Sequence, residues 1–220
     1  MSTVLLIGAS RGIGLEFARQ YRSDGWRVIA TARDDAGLRR LADLDCEPLK
    51  LDVAQPASVS TLAWSLDGVE LDLAVYVAGV MDRGGASSVP TQPDFDRLMR
   101  TNVLGAMQAL PQVAPLLKGG SPMAFISSQM GSISDCASSY GWVYRASKAA
   151  LNMAVHAAQS DFPDAVLLAL SPGWVQTDMG GAGATLTVAD SVGRMRRTLA
   201  AVGPEHRGAF LNQDGQTLPW

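Results

Sequence analysis

Val4-Leu5-Leu6-Ile7-Gly8-Ala9-Ser10-Arg11-Gly12-Ile13-Gly14 is the stretch on which the reading of the fold turns. Its apolar run has no polar alternation, which suits a strand buried on both faces of a parallel sheet. A glycine-rich loop follows, and helical periodicity begins near Gly12. In open α/β sheets ligands bind beyond the carboxyl ends of strands, and a helix start there offers unpaired N–H groups to a phosphate. Gly8 permits the tight turn. Gly12 and Gly14 let the backbone approach a pyrophosphate and let the helix pack on the sheet. The spacing is Gly-x-x-x-Gly-x-Gly and not the literal Gly-x-Gly-x-x-Gly, so the dinucleotide loop is read from its strand–loop–helix context.

The same rhythm continues outward. Further apolar runs lie at 27–31, 48–51, 71–77, 123–127, 165–170 and 209–212. Segments of helical period lie between them, at 12–24, 35–44, 56–66, 93–117, 143–161 and 187–201. Gln55-Pro56 and Gln92-Pro93 read as helix starts, and Pro111 and Pro115 are expected to bend or end the fourth helix. The alternation implies α/β class: a Rossmann-type doubly wound parallel sheet in three α/β/α layers, one domain over 1–220. Gly180-Gly181-Ala182-Gly183-Ala184 is expected to be mobile and to form part of a lid.

Composition narrows the function classes. The chain has 220 residues, 47% hydrophobic and 18% charged, with net charge −3. No basic face is advertised, which argues against a nucleic-acid partner. Cys46 and Cys136 make no disulfide framework and fit a reducing cytoplasm. The apolar run at the N-terminus is too short for a leader's apolar core or a membrane span, so a cytoplasmic protein without a membrane partner is expected. His156 and His206 stand far apart without a ligand cluster, so no metal is expected.

The second strand ends Ile29-Ala30-Thr31-Ala32-Arg33. A carboxylate there would bind the 2′-hydroxyl of NAD. Arg33 stands instead, and Arg11 lies in the glycine loop; two guanidinium groups suit a 2′-phosphate. NADP(H) is therefore expected over NAD(H), with Asp34 and Asp35 as competing ribose partners that keep NAD(H) possible. Asp52 and Val53, after the third strand, are placed to meet the adenine.

Tyr144 and Lys148 share one helix face. Phenol ordinarily titrates near 10, too high for efficient proton exchange at neutrality. An ammonium about 5 Å away, at an effective dielectric near 20, is worth roughly 3 kcal/mol and is expected to lower the phenol by about 2 pH units. Ser128 closes the fifth strand and can donate to the oxygen that Tyr144 protonates. Asn102 in mid-helix is a poor helix former, expected to bind a backbone carbonyl or water and to connect Lys148 with solvent. With the glycine loop, these residues point to a redox enzyme that interconverts a carbonyl and an alcohol. Trp142, Trp174, Met179 and Met81 are equally apolar pocket lining or packing. Ser127 and Ser128 lack the Gly-x-Ser-x-Gly elbow of a hydrolase.

Taken together, the glycine loop and Asn102, Ser128, Tyr144 and Lys148 resemble the short-chain dehydrogenase/reductase family over nearly the whole chain. The ending Leu218-Pro219-Trp220 and the Ser-Ser-Gln-Met-Gly-Ser run resemble its small C-factor-like carbonyl reductase branch. The resemblance implies a cofactor loop at Gly8, Ser10, Arg11, Gly12, Ile13 and Gly14, and a catalytic tetrad of Asn102, Ser128, Tyr144 and Lys148. It further implies that Lys148 holds the nicotinamide ribose. Ser171-Pro172-Gly173-Trp174-Val175-Gln176-Thr177 is similar to the family's Pro-Gly motif. There Pro172, Gly173, Val175 and Thr177 would face the nicotinamide end, with Thr177 on the carboxamide. The family's Asn-Asn-Ala-Gly reads Tyr76-Val77-Ala78-Gly79 here, which leaves Ala78 and Gly79 against the cofactor. The Ser128–Tyr144 interval is longer than in many members, so Ser132 stays as a lesser alternative to Ser128; Tyr140 lacks a lysine four residues on. Homodimers or homotetramers built on helices 93–117 and 143–161 are implied, with a small carbonyl or alcohol as substrate. A dinucleotide-binding regulatory or signalling protein with little turnover is the alternative reading.

Overall fold

A computed structural model describes all 220 residues. A single seven-stranded sheet runs in the order β3-β2-β1-β4-β5-β6-β7. Its strands are β1 (Thr3–Ile7), β2 (Arg27–Ala32), β3 (Glu47–Lys50), β4 (Leu73–Tyr76), β5 (Pro122–Ile126), β6 (Val166–Ser171) and β7 (Phe210–Asn212). Every pairing is parallel, and Leu5 stands opposite Ile29 on one side and Ala74 on the other.

The absence of polar alternation in β1 has a direct structural cause. Val4 and Leu6 belong to one apolar core, Leu5 and Ile7 to a second on the opposite face. The first core packs under α1 (Gly12–Ser23), α2 (Asp35–Ala42) and α8 (Val188–Ala200) through Phe17, Leu41 and Met195. The second packs under the short helices α3 (Pro56–Val59) and α4 (Leu62–Ser65), then α6 (Gly105–Val113) and α7 (Trp142–Ala158), through Val59, Leu62, Leu110 and Leu151. The strand order reverses between β1 and β4, which opens the crevice where such sheets bind ligands.

Several segments differ from the sequence reading. Strand β3 is an edge, with Glu47, Pro48 and Lys50 exposed rather than buried; proline and charge suit an edge strand. The helix expected at 56–66 is broken, because the Ser60 and Thr61 hydroxyls bond back to the Ala57 and Ser58 carbonyls. The long helix at 93–117 resolves into α5 (Gln92–Met99), a π-helical turn at Arg100–Leu104, α6, and a final 3-10 turn that contains Pro115. Pro111 sits inside α6 without ending it. The segment 180–184 is stitched down. Trp174 Nε1 donates to the Gly180 carbonyl at 2.9 Å, and Gln176 Nε2 to the Ala184 carbonyl at 3.0 Å. No helix is long and apolar enough to cross a membrane.

Candidate active site

A cleft of about 640 Å³ opens at the carboxyl ends of β1, β4 and β5. The glycine loop forms one wall. Gly8 takes φ +91°, and a methyl group there would stand 2.7 Å from Ala78 Cα. The loop hangs on β2: Gly8 N–H donates to Thr31 Oγ1 at 2.9 Å and Ala9 N–H to the Thr31 carbonyl at 2.8 Å. No side chain caps α1 and no acid stands in its first turn, whereas Asp34, Thr91 and Thr187 cap α2, α5 and α8. An uncapped helix start facing a cleft fits the pyrophosphate of a dinucleotide.

Arg11 and Arg33 line the cleft with Asp52 and Val53. Both acids beside Arg33 have other partners, although Asp34 Oδ2 also lies 4.0 Å from Arg33 Nε. Asp34 accepts the Gly37 N–H at 2.7 Å, and Asp35 pairs with Lys50 Nζ at 3.2 Å. Sequence reasoning missed a third guanidinium: Arg40 lines the same end and donates from Nε to the Ser10 carbonyl at 2.9 Å. Its signal lay in Gly37. A methyl group at Gly37 would lie 2.8 Å from Ser10 Cβ, so α2 presses on the loop there and presents Arg40 one turn later.

Tyr144 and Lys148 lie on α7, 6% and 3% exposed, and face the same cleft. Ser128 Oγ accepts the Met130 N–H at 3.1 Å, and its hydroxyl favours the ionised form of the Tyr144 phenol. Ser132 is spent elsewhere, accepting the Asp135 N–H at 3.1 Å and reaching the Trp220 carbonyl at 3.4 Å. Lys148 Nζ donates to the Ile126 carbonyl at 2.7 Å and lies 5.6 Å from the Tyr144 ring centre. The turn after Ser128 sits flush on α7, since a methyl group at Gly131 would meet Lys148 Cβ at 2.9 Å. Buried Ser127 donates to Asn152 Oδ1 at 2.6 Å, which ties the end of β5 to α7; Asn152 was not among the sequence candidates.

Asn102 occupies the π-helical turn, fully buried. Its side chain clamps Val80 from both sides, accepting the N–H at 2.8 Å and donating to the carbonyl at 2.8 Å. A second amide hydrogen reaches Ser147 Oγ at 2.9 Å, and Ser147 donates to the Tyr144 carbonyl at 2.7 Å. Asn102 thus ties the loop after β4 to α7, and its side chain makes no bond to Lys148.

The remaining sequence candidates divide by position. Gly8, Ser10, Gly12, Ile13, Ala78, Gly79, Pro172 and Thr177 line the cleft, whereas Gly14, Asn102, Ser128, Gly173 and Val175 are not among its lining residues. Thr177 Oγ1 accepts the Gly180 N–H at 3.0 Å, which closes the turn after β6.

The expected lowering of Tyr144 by Lys148 is not found in the cofactor-free protein. Burial pushes the phenol up to about 12, with the Ser128 hydrogen bond as a smaller opposing effect. Burial also drives Lys148 down to about 7, so its positive charge is itself suppressed. The sequence reading took an effective dielectric near 20 with no burial cost, whereas both side chains are buried.

Lys148 therefore carries a stability cost with a definite sign. Its folded value of about 7 lies below the ordinary 10.5. Between those values the unfolded chain binds more protons, so this cost is full below pH ~7 and fades toward pH ~10.5. Lys148→Met in cofactor-free protein is expected to melt at least about 3 °C above wild type at pH 6, with the gap narrowing by pH 9. Thermal unfolding across pH checks this; a gap independent of pH would refute the buried-ammonium account.

Comparison with known proteins agrees with this geometry. Residues 2–185 match the short chain dehydrogenase family model. The 1-hydroxy-2-glutathionyl-2-methyl-3-butene dehydrogenase of Rhodococcus sp. strain AD45 is 35% identical over the full length of both chains. The C-signal of Myxococcus xanthus is 38% identical over 68% of this chain and 93% of its own. The NADPH-bound crystal structure of carbonyl reductase from chicken fatty liver superposes with a TM-score of 0.90 at 31% identity, covering 100% of this chain and 99% of the other. Matched along its sequence and across its fold, the chain belongs to the short-chain dehydrogenase/reductase family of NAD(P)-dependent oxidoreductases.

Proposed function

We propose that this protein is an NADP(H)-dependent reductase of aldehydes or ketones, able to run in reverse as an alcohol dehydrogenase, with the whole chain as one dinucleotide-binding domain. The observation that carries the reading is that Tyr144 and Lys148 line the same cleft as the uncapped glycine loop. When bound, NADPH supplies the hydride. The α1 start, with Gly8, Ser10, Gly12, Ile13 and Gly14, holds the pyrophosphate, and Arg11, Arg33 and Arg40 hold the 2′-phosphate. Asp52 and Val53 flank the adenine, and Ala78 and Gly79 the adjoining ribose. Pro172, Gly173, Val175 and Thr177 position the nicotinamide end.

Tyr144 delivers the proton from its phenol to the carbonyl oxygen, and Ser128 orients that oxygen by donating a hydrogen bond. Lys148 holds the nicotinamide ribose, and Asn102 keeps the catalytic helix in register with the loop after β4. The NADPH-bound chicken carbonyl reductase supports this choice of cofactor and substrate class. Exposed Leu104, Met107 and Met153, on the π-helical turn, α6 and α7, support pairing into a homodimer or homotetramer, which sedimentation velocity measures. Free Cys46 and Cys136 support a cytoplasmic setting.

The test is a titration with NADPH and with NADH, followed by a panel of aldehydes and ketones. The Arg33→Ala, Arg40→Ala double variant is expected to lose about 10–100-fold in NADPH affinity and under about 3-fold in NADH affinity. Equal losses for both cofactors would defeat the 2′-phosphate assignment. The likeness to C-signal motivates the second reading, a dinucleotide-binding signalling protein with little turnover. Binding without reduction of any carbonyl would favour it.

A further inference from the structure

The helix that carries Tyr144 starts without a cap of its own. Its N-cap position is Gly141, at φ +68°, and its first turn contains no acid. Two of that turn's donors are met by the loop after β4 instead. Trp142 N–H donates to the Gly84 carbonyl at 3.0 Å, and Tyr144 N–H donates to Asp82 Oδ1 at 2.9 Å. The other oxygen of Asp82 accepts the Gly84 N–H at 3.2 Å, so the carboxylate is held from both sides. Met130 and Met81 pack over the helix start, where a methyl group at Gly141 would meet Met130 Cε at 2.8 Å and Met81 Cε at 3.4 Å.

We propose that Asp82 is a positioning residue for the proton donor, capping α7 from outside the helix and fixing Tyr144 through its main-chain N–H. The inference rests on the reading of Tyr144 as the acid/base group. A carboxylate at a helix start satisfies an otherwise orphaned donor and opposes the helix dipole. Here it does so at the residue whose phenol must meet the substrate oxygen. The connection closes on itself. Asn102 clamps Val80, two residues before Asp82. Asp82 holds the Tyr144 N–H, and Ser147, bonded to Asn102, holds the Tyr144 carbonyl. Both main-chain groups of Tyr144 thus trace back to one buried asparagine. A shift of about 1 Å at a reacting group costs on the order of 100-fold in rate, so a loosened first turn is expected to appear in kcat.

The experiment compares Asp82→Ala, Asp82→Asn and Tyr144→Phe in the full chain, with 4-nitrobenzaldehyde and NADPH as probes. Amide hydrogen exchange over residues 142–145 of the cofactor-free protein gives a readout that needs no turnover. Asp82→Ala is expected to lose at least about 10-fold in kcat with KM for NADPH within about 2-fold, and to speed exchange at 142–145 by about 10-fold. Asp82→Asn keeps the acceptor oxygen and is expected to stay within about 3-fold of wild type in both readouts. Should Asp82→Ala be too unstable to purify, Asp82→Ser draws its oxygen back from the helix and carries the same expectation. Unchanged exchange and kcat in the Ala or Ser variant, beside an inactive Tyr144→Phe, would overturn the role of Asp82 alone. An Asn variant as damaged as Ala would also overturn it, by pointing to charge instead of position. Wild-type turnover in Tyr144→Phe would bring down the reading on which the proposal rests.

Discussion

Tyr144→Phe is expected to lower kcat for carbonyl reduction by about 10²–10⁴-fold while NADPH affinity stays within about 2-fold. The phenol is 6% exposed and opens on the cleft beside Lys148. Phe fills the same volume and removes only the hydroxyl, so packing against Leu98 and Val143 survives and the thermal midpoint should move little. On the proposed mechanism, the proton that Tyr144 delivers to the substrate oxygen would have no substitute at that place. The pH dependence has opposite sign in the two directions. Reduction needs the proton on Tyr144, which burial holds at about 12 in the cofactor-free protein, so the donor stays loaded across neutrality. Oxidation of an alcohol needs the proton gone, so its rate should climb with pH. Steady-state kinetics in both directions measure this. Wild-type turnover by the Phe variant would remove Tyr144 from the chemistry.

Gly14→Ala is expected to destabilise the protein by about 3 kcal/mol or more, roughly 6–12 °C in Tm, and to abolish tight cofactor binding. A methyl group at 14 would overlap the Gly8 carbonyl oxygen and stand 2.8 Å from Ala9 Cα. Both neighbours are backbone, held by the bonds from Gly8 and Ala9 to Thr31, so neither can yield cheaply. Gly12→Ala is the contrasting control. Gly12 has φ +54°, and its methyl group would meet only Thr177 Cγ2, at 3.7 Å. That change costs about 1–2 kcal/mol of backbone strain but projects into the cleft. It should therefore weaken NADPH binding more than it lowers Tm. Thermal unfolding and cofactor titration of the two variants separate the effects. A Gly14→Ala protein with wild-type Tm would show that the loop can move away from the helix.

The periodicity of β1 and its neighbours was legible because burial on two faces leaves a direct trace in composition: Leu5 and Leu6 face different cores, so both must be apolar. The glycine loop was legible because a close backbone approach excludes side chains. The π-helical turn was not: Asn102 marked an irregular place in the helix, but no local pattern gave the form the irregularity takes. In that turn Asn102 bonds to Val80, 22 residues earlier in the chain, a contact between elements that residue spacing does not reveal. Arg40 was hidden for a similar reason, since its place depends on how α2 leans on Ser10. Asp82 carries no motif at all.

Local pattern alone determined the parallel α/β class, the dinucleotide loop and the pairing of Tyr144 with Lys148 on one helix face, because each follows from residue spacing along one element. Tertiary structure decided what depends on distance between elements and on exclusion of water. It placed Asn102 and Asp82 against α7, where Ser147 receives the asparagine. It also reversed the expected proton affinity of Tyr144, because the low dielectric that surrounds the phenol surrounds the lysine as well, and each loses its charged form to the same burial.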